Sequence, residues 1–397
     1  MFIILFSCSA DSNQTIERKE KGSVIDLDNA NANSDDYFLY SSMYKSVKTI
    51  LLETNESCLI GFIKKMRVYD PYIIILDSYV AKSVLIFDMN GRFIRKIGNV
   101  GPGPGEYTRP FDFTVDKEGN AIYVIDGHLS RINKYDLNTG RFIHSINYEK
   151  DVRSFNIEYV GGKLFADAYF SKHSDNNYLI RIIEEPSGKI AGNFLNVKEY
   201  GKGISNTSFI RDNVFYPREN SRNVVFVQPL MDQIIELSSE SVSSLFEIKS
   251  KDAITPEIIK TAMEKNQYQY MMNLMQYNKY FHISGFIEHG NRIIFDYQKG
   301  NKFKLILYNK QTHEVGVFQN KWNDLFFLNK GTGTYPVPKV GCFDSSGVYY
   351  YYDTSRLSRI QQLAVTGALS PELDKLDVLK NLEEDANPMI FYYEFKD

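Results

Sequence analysis

The feature that most restricts this chain is a repeat. Between Ile97 and Ile146 four short apolar runs follow one another: Phe111–Val115, Ala121–Ile125, Arg131–Tyr135 and Arg141–Ile146. Turn signals separate them, at Asp116-Lys117-Glu118-Gly119, Gly127-His128 and Asp136-Leu137-Asn138-Thr139-Gly140. Runs this short, rich in β-branched and aromatic residues and bounded by Gly, Asn and Asp, read as strands. Four with hairpin-length links make an up-and-down meander, which alone would leave two bare edges. The same pattern stands about 48 residues earlier. Ile74–Asp77 matches Tyr123–Asp126, Leu85–Asp88 matches Asn133–Asp136, and Gly91–Ile94 matches Gly140–Ile143. A fixed period of this size means a propeller or a solenoid. Four strands per period select the propeller.

The first blade is expected over Cys58–Ile97, with strands Leu59–Val68, Tyr72–Leu76, Ser83–Phe87 and Phe93–Ile97 and a strong hairpin signal at Asn90-Gly91. Looser copies occupy Val152–Leu195, Phe209–Ile248 and Phe281–Phe318, and Val340–Asp353 opens a sixth. That sixth copy lacks its outer strands locally. Val47–Leu52 and Met389–Phe395 can supply them, which would join the two ends of the chain in one blade and remove the free edges. Two helical insertions are expected. One starts at Thr255-Pro256-Glu257 and runs through Met263 toward Tyr277; the other starts at Ser370-Pro371-Glu372, carries the stripe Leu373, Leu376, Leu379, Leu382 and stops at Asn387-Pro388. The expected fold class is therefore all-β, a six-bladed β-propeller over 22–397, preceded by a signal remnant and tether over 1–21.

Composition narrows the partners. A hydrophobic share of 43% beside 24% charge is globular. A net charge of −3 lacks the basic excess of a nucleic-acid binder. Nothing beyond the first few residues is long and apolar enough to cross a bilayer. Leu5-Phe6-Ser7-Cys8 resembles the lipobox of bacterial lipoproteins, and the polar run Ser9–Lys21 then reads as a tether. Only seven residues precede Cys8 and none is basic, so this reading expects a start codon upstream of Met1. Cys58 and Cys342 fall on expected inner strands of adjacent blades; two separate buried thiols are favoured over a disulfide.

No motif announces chemistry. His128, His144, His173, His282, His289 and His313 show no i,i+4 pair, and there is neither a CxxC nor a Gly-x-Ser-x-Gly elbow. Gly101–Tyr107, GPGPGEY, is not a phosphate cradle: proline removes two of its N–H groups, and a strand follows where a cradle needs a helix. Asp77, Asp126 and Asp353 end second strands at equivalent places. A ring of carboxylates could hold Ca²⁺, but repetition favours turn residues that accept N–H groups. Neither a cofactor nor a metal site is expected.

GPGPGEY followed by IYVIDGHLSRINKYD resembles NHL-type propeller repeats. The ordered set of lipobox, Val47–Thr54 (VKTILLET), that glycine loop and the terminal Glu383–Pro388 is similar to a family of bacterial six-bladed propeller lipoproteins. The resemblance implies the fold and an address at the cell envelope, lipid-anchored on the outer membrane, the periplasmic side or the surface. It does not imply a reaction. The favoured function is a non-catalytic binding module with a glycan, peptide or envelope protein as partner; a lyase or hydrolase at the central channel and a structural subunit of an outer-membrane complex are the alternatives.

In a propeller the links between blades lie on the same face as the turns between second and third strands. That face should collect Gly98–Pro110, Gly127–Ser130, Ser171–Asn176, the Thr255 helix, Lys321–Lys339 and Thr354–Pro371. Loops elaborated on one face of a rigid scaffold usually carry function. The candidate ligand-binding residues are accordingly Tyr107, Arg109, His128, His173, Trp322, Tyr335 and Arg356. Aromatic planes beside Arg and His suit a polar organic ligand. The plainer alternative for Trp322 is a plug that seals its loop onto a blade edge.

Overall fold

A computed structural model of the chain describes residues 16–18, 22–30, 37–149, 153–168, 177–203, 213–265, 269–329, 335–383 and 385–396. Six four-stranded antiparallel meanders stand around one axis. Blade 1 comprises Lys65–Tyr69, Tyr72–Asp77, Ser83–Asp88 and Phe93–Ile97; blade 2 comprises Asp112–Asp116, Ala121–Asp126, Arg131–Asp136 and Phe142–Asn147. Blade 3 is built from Ile157–Val160, Lys163–Asp167, Tyr178–Ile183 and Ile190–Asn196, and blade 4 from Phe215–Pro217, Val224–Phe226, Gln233–Leu237 and Ser241–Lys249. Blade 5 holds Tyr280–His289, Arg292–Lys299, Lys302–Asn309 and Val315–Phe318.

Blade 6 closes the ring as expected. Its order is Lys339–Phe343, Gly347–Tyr352, Met389–Phe395 and then Tyr44–Leu51, so the outermost strand comes from the start of the chain. The registers place Ile390 opposite Ile50 and Tyr393 opposite Val47. Blade 1 braces that seam. Gly91, with φ of +84°, turns its hairpin so close to blade 6 that a Cβ there would meet the Leu51 carbonyl oxygen at 2.0 Å.

The core is six wedges, one between each pair of neighbouring blades. The reason lies in the strand sequences. Central strands such as Tyr72–Asp77 and Ala121–Asp126 are buried on both faces and are apolar almost throughout. Outer strands such as Phe93–Ile97 are mostly half-exposed, with only Ile97 of that strand fully buried.

The structure departs from the sequence reading in several places. The first strand of blade 1 begins at Lys65 and not at Leu59, because Asp77 captures the N–H groups of Gly61 and Phe62. Cys58 therefore precedes the inner strand, while Cys342 lies on one; both are buried free thiols, and burial pushes Cys342 up to about 12. The insertion at Thr255 is two short helices, Pro256–Lys265 and Tyr270–Leu274. No helix starts at Ser370. Lys375 is left-handed at φ +58°, Asp374 accepts from the Thr49 N–H at 2.7 Å, and only Leu376–Lys380 is helical. A longer helix, Thr354–Val365, stands where a loop was expected, with Leu357, Ile360, Leu363 and Ala364 buried as one stripe. Finally, Ile16–Arg18 and Ser23–Asp26 pair in parallel with the outer strand of blade 4 and lengthen that sheet.

Candidate functional site

The site begins with the aspartates that end second strands. Asp77 accepts from the N–H groups of Gly61, Phe62, Tyr79, Val80 and Ala81. Asp126 accepts from Thr108, Arg109, His128 and Leu129, and Asp167 from Phe155 and Asn156. Asp77 and Asp126 thus tie the incoming link of their blades to the turn between second and third strands, and Asp167 holds the incoming link of blade 3. These are turn clamps, and among the described residues no three His, Cys, Asp or Glu are grouped to share a metal ion.

The clamps fix the top face. Arg109 is held with its Nε–H on the Ser78 carbonyl at 3.0 Å and its guanidinium 4.3 Å from the Tyr79 ring centre and 5.1 Å from that of Phe111. The His128 ring meets Phe111 edge-on at 4.8 Å. Phe62 meets Tyr79 edge-on at 5.7 Å, and the Lys339 ammonium lies 4.9 Å from Phe62. Two cations and four rings thus lie in an arc across blades 6, 1 and 2, with the Lys339 ammonium also paired to Asp353 at 2.6 Å.

Behind this arc the channel is divided. On one side it is filled by charge. Lys65 bridges to Asp112 at 2.9 Å and Glu158 at 3.5 Å, and Arg67 reaches Glu158 at 3.4 Å and, across the axis, the Phe215 carbonyl at 2.8 Å. Burial works against the Arg67 charge, but Glu158 and the nearby Tyr69, Cys342 and Asp112 together outweigh it and the guanidinium pKa is raised. From the mouth, lined by Phe62, Tyr79 and Lys339 of the arc, a cavity of about 1090 Å³ runs past Lys65 and Arg67 into the crevice between blades 5 and 6. Tyr40, Tyr44, Phe286, Phe303 and Tyr350 supply its aromatic walls. Its polar features include Asp296, which holds Lys321 at 2.6 Å, and the paired hydroxyls of Tyr44 and Tyr350 at 2.8 Å. The cavity exists because both first strands beside it are bulged, at Ser284/Ile287 and at Val340/Cys342.

The sequence-selected residues separate into groups. Arg109 and His128 meet around Phe111 on the arc. Tyr107 does not join them: it is fully buried, and its hydroxyl donates to the Ile97 carbonyl at 2.7 Å. Burial pushes that phenol up to about 12. Trp322 and Tyr335 touch each other at 5.2 Å in the link from blade 5 to blade 6, where Trp322 is only 9% exposed, so it packs as a plug. Arg356 is exposed on the helix Thr354–Val365. Cys8 and His173 lie outside the described residues. The glycine loop closes on itself, with Glu106 accepting from Gly103 N–H at 2.7 Å where an anion would sit.

Sequence reasoning missed Phe62, Tyr79, Phe111 and Lys339. One signal was present: two residues after the clamp aspartate stands Tyr79 in blade 1 and His128 in blade 2. Phe62 and Phe111 looked like ordinary strand residues. The cavity had no local signal, since its bulges depend on pairing partners far along the chain.

The family described as "Domain of unknown function (DUF4934)" matches residues 22–394. A solved Bacteroides fragilis protein described as a "Putative exported protein" superposes with a TM-score of 0.74 at 17% identity, over 94% of this chain and 100% of that one. At that identity the likeness concerns the fold. A solved member of the duf4221 family from Bacteroides vulgatus gives a TM-score of 0.48 at 14% identity, over 89% of this chain and 97% of that one. Mouse peptidyl-glycine alpha-amidating monooxygenase is 23% identical over 211 residues, which is 50% of this chain and 21% of that protein. The chain thus spans about a fifth of this curated relative's length.

Proposed function

The chain belongs to the family described as Domain of unknown function (DUF4934), and from that premise we propose that it is a non-catalytic, ligand-binding propeller of the bacterial cell envelope. The observation that carries the reading is the cavity of about 1090 Å³ opening beside a ready-made arc of rings and cations. The groups that could do acid–base work in the channel are engaged elsewhere: Asp112 and Glu158 hold Lys65 and Arg67, and the clamp aspartates hold backbone. A pre-formed pocket whose aromatic walls alternate with charged and amide side chains such as Arg67, Asp296, Asn320 and Lys339 fits recognition of a polar organic ligand. The envelope address is supported by the lipobox-like Leu5–Cys8, with a lipid on Cys8 as the membrane tether, and by the description of the Bacteroides fragilis neighbour.

Two experiments test this. Fractions of envelope glycans and peptides are titrated into the protein and into Ser284→Phe, which places a ring in the cavity. A ligand that raises the melting temperature of the first but not of the second supports the reading; binding untouched by Ser284→Phe removes the cavity from it. Expression with the native upstream sequence and palmitate labelling addresses the tether, and an unlabelled product that retains Met1 refutes it.

A further inference from the structure

Resting on that binding reading, we propose that the arc on the top face recognises an acidic polysaccharide, with Arg109 as the anchor for a sugar carboxylate. Arg109 is pre-organised. Its Nε–H is taken by the Ser78 carbonyl and its plane lies between Tyr79 and Phe111, while its two terminal nitrogens have no hydrogen-bond or ion-pair partner among the described residues. A guanidinium held this way offers its fork to a planar carboxylate. Among the described residues no carboxylate pairs with its terminal nitrogens, and the clamp residues Asp77 and Asp126 are each fully buried and accept backbone N–H groups with both oxygens.

The rest of the arc sets the shape of the ligand. From Lys339 through Phe62, Tyr79, Arg109 and Phe111 to His128, successive groups stand 4.3 to 5.7 Å apart. Lys339 is already paired with Asp353 at 2.6 Å and Phe111 is buried, so the groups that face a ligand are the Arg109 fork and the exposed Tyr79 ring beside it, which match a carboxylate next to an apolar sugar face. A peptide fits less well. Peptide capture by strand addition needs free main-chain groups, and here the N–H groups of Phe62, Tyr79, Val80, Arg109, His128 and Leu129 are held by the two clamps. Nor is there a side-chain pocket between the rings, since Phe111 is 2% exposed. What remains accessible is the half-exposed Tyr79 ring, 45% accessible, and the charged ends beside it.

The test uses a galacturonate hexamer, its methyl ester and a glutamate hexapeptide, followed by calorimetry on the full chain. The hexamer is expected to bind, the neutral ester at least tenfold more weakly, and the affinity to fall as salt screens the contact. Arg109→Gln should weaken the hexamer at least tenfold, with partial rescue in Arg109→Lys. Tyr79→Ala is an exposed change that keeps the test alive should Arg109→Gln unfold, and it should cost several-fold. Equal binding of hexamer and ester, a tighter peptide than uronate, no uronate binding by the wild type, or full affinity in all of these variants overturns the inference. A neutral glycan blocked by Ser284→Phe would overturn it too, while leaving the cavity reading intact.

Discussion

The two halves of the channel are built from the same element and do opposite things. In blades 1, 2 and 3 the first strands pair with their neighbours without a register shift. Their inward side chains are Lys65, Arg67, Asp112, Thr114 and Glu158, which cross-link blade to blade; Thr114 donates to Glu158 at 3.0 Å, and Tyr159 N–H donates to Thr114 at 2.9 Å. In blades 5 and 6 the first strands are bulged, the inward groups are mostly aromatic, and space is left between them. The two blades whose repeat is easiest to read, 1 and 2, lie on the filled side, and the cavity lies among the looser copies. A strict repeat preserves what every blade needs in order to pair; a binding site needs one blade to differ from the rest.

The largest effect should come from breaking the ring itself. Truncation after Asn387 removes Met389–Phe395, the third strand of blade 6, and strands Tyr44–Leu51 with nothing to pair against. Loss of the cooperative thermal transition is expected by circular dichroism. A truncated chain that melts like the full one would mean that the filled half holds the fold alone.

Next comes a direct contrast of charges. Glu158 is 5% exposed and serves both Lys65 and Arg67. Glu158→Ala leaves the buried Arg67 without its carboxylate partner, while Lys65 keeps Asp112, and should cost ~3–5 kcal/mol in urea denaturation. Asp296 faces the cavity with its side chain 20% exposed, and Asp296→Ala leaves Lys321 able to reach water. That change should cost only ~0–1 kcal/mol. Equal costs would erase the distinction between a filled half and an open one.

These elements also show what the sequence could and could not convey. Blades 1 and 2, the closing strands Val47–Leu52 and Met389–Phe395 and the turn role of Asp77 and Asp126 were readable, because each rests on local pattern or on a repeated position. The helix Thr354–Val365 could have been read from Leu357, Ile360, Leu363 and Ala364. The failed helix start at Ser370 could not, because Asp374 and Lys375 are drawn to Thr49, more than three hundred residues away. Of the candidate residues, Arg109 and His128 meet around Phe111, while the Tyr107 ring turns inward to the Ile97 carbonyl, a direction that its loop sequence does not reveal. Trp322 took the plainer of its two expected roles.

A smaller effect should appear in acid. At the foot of blade 5, Glu288 is 2% exposed, accepts two hydrogen bonds from Arg218 at 2.8 Å and one from Lys310 at 2.8 Å. Burial alone would raise its carboxyl, but those hydrogen bonds outweigh it and the pKa is lowered. A lowered folded pKa gives stability that is complete above the unfolded value of about 4.3 and is lost as pH falls through the folded one. Glu288→Gln should therefore flatten the stability profile below about pH 4.3. A profile identical to wild type there would show that the open half gains nothing from this ion pair.

The smallest effect concerns Trp322, the sole tryptophan of the chain. It pairs across from Leu39, tilts on Phe327 at 5.8 Å and follows Lys321, whose ammonium holds Asp296 on the cavity wall. Buried among rings, it should emit at short wavelength and respond to ligand only through that neighbouring residue. A cavity ligand should thus produce a small emission change that disappears in Asp296→Asn, where the Lys321 contact is weakened while the fold persists. A ligand confined to the arc over blades 1 and 2 should leave Trp322 unchanged in both proteins. If a ligand blocked by Arg109→Gln alone moved the Trp322 emission strongly, the filled half and the open half would be coupled, and the division of the channel into two independent parts would fail.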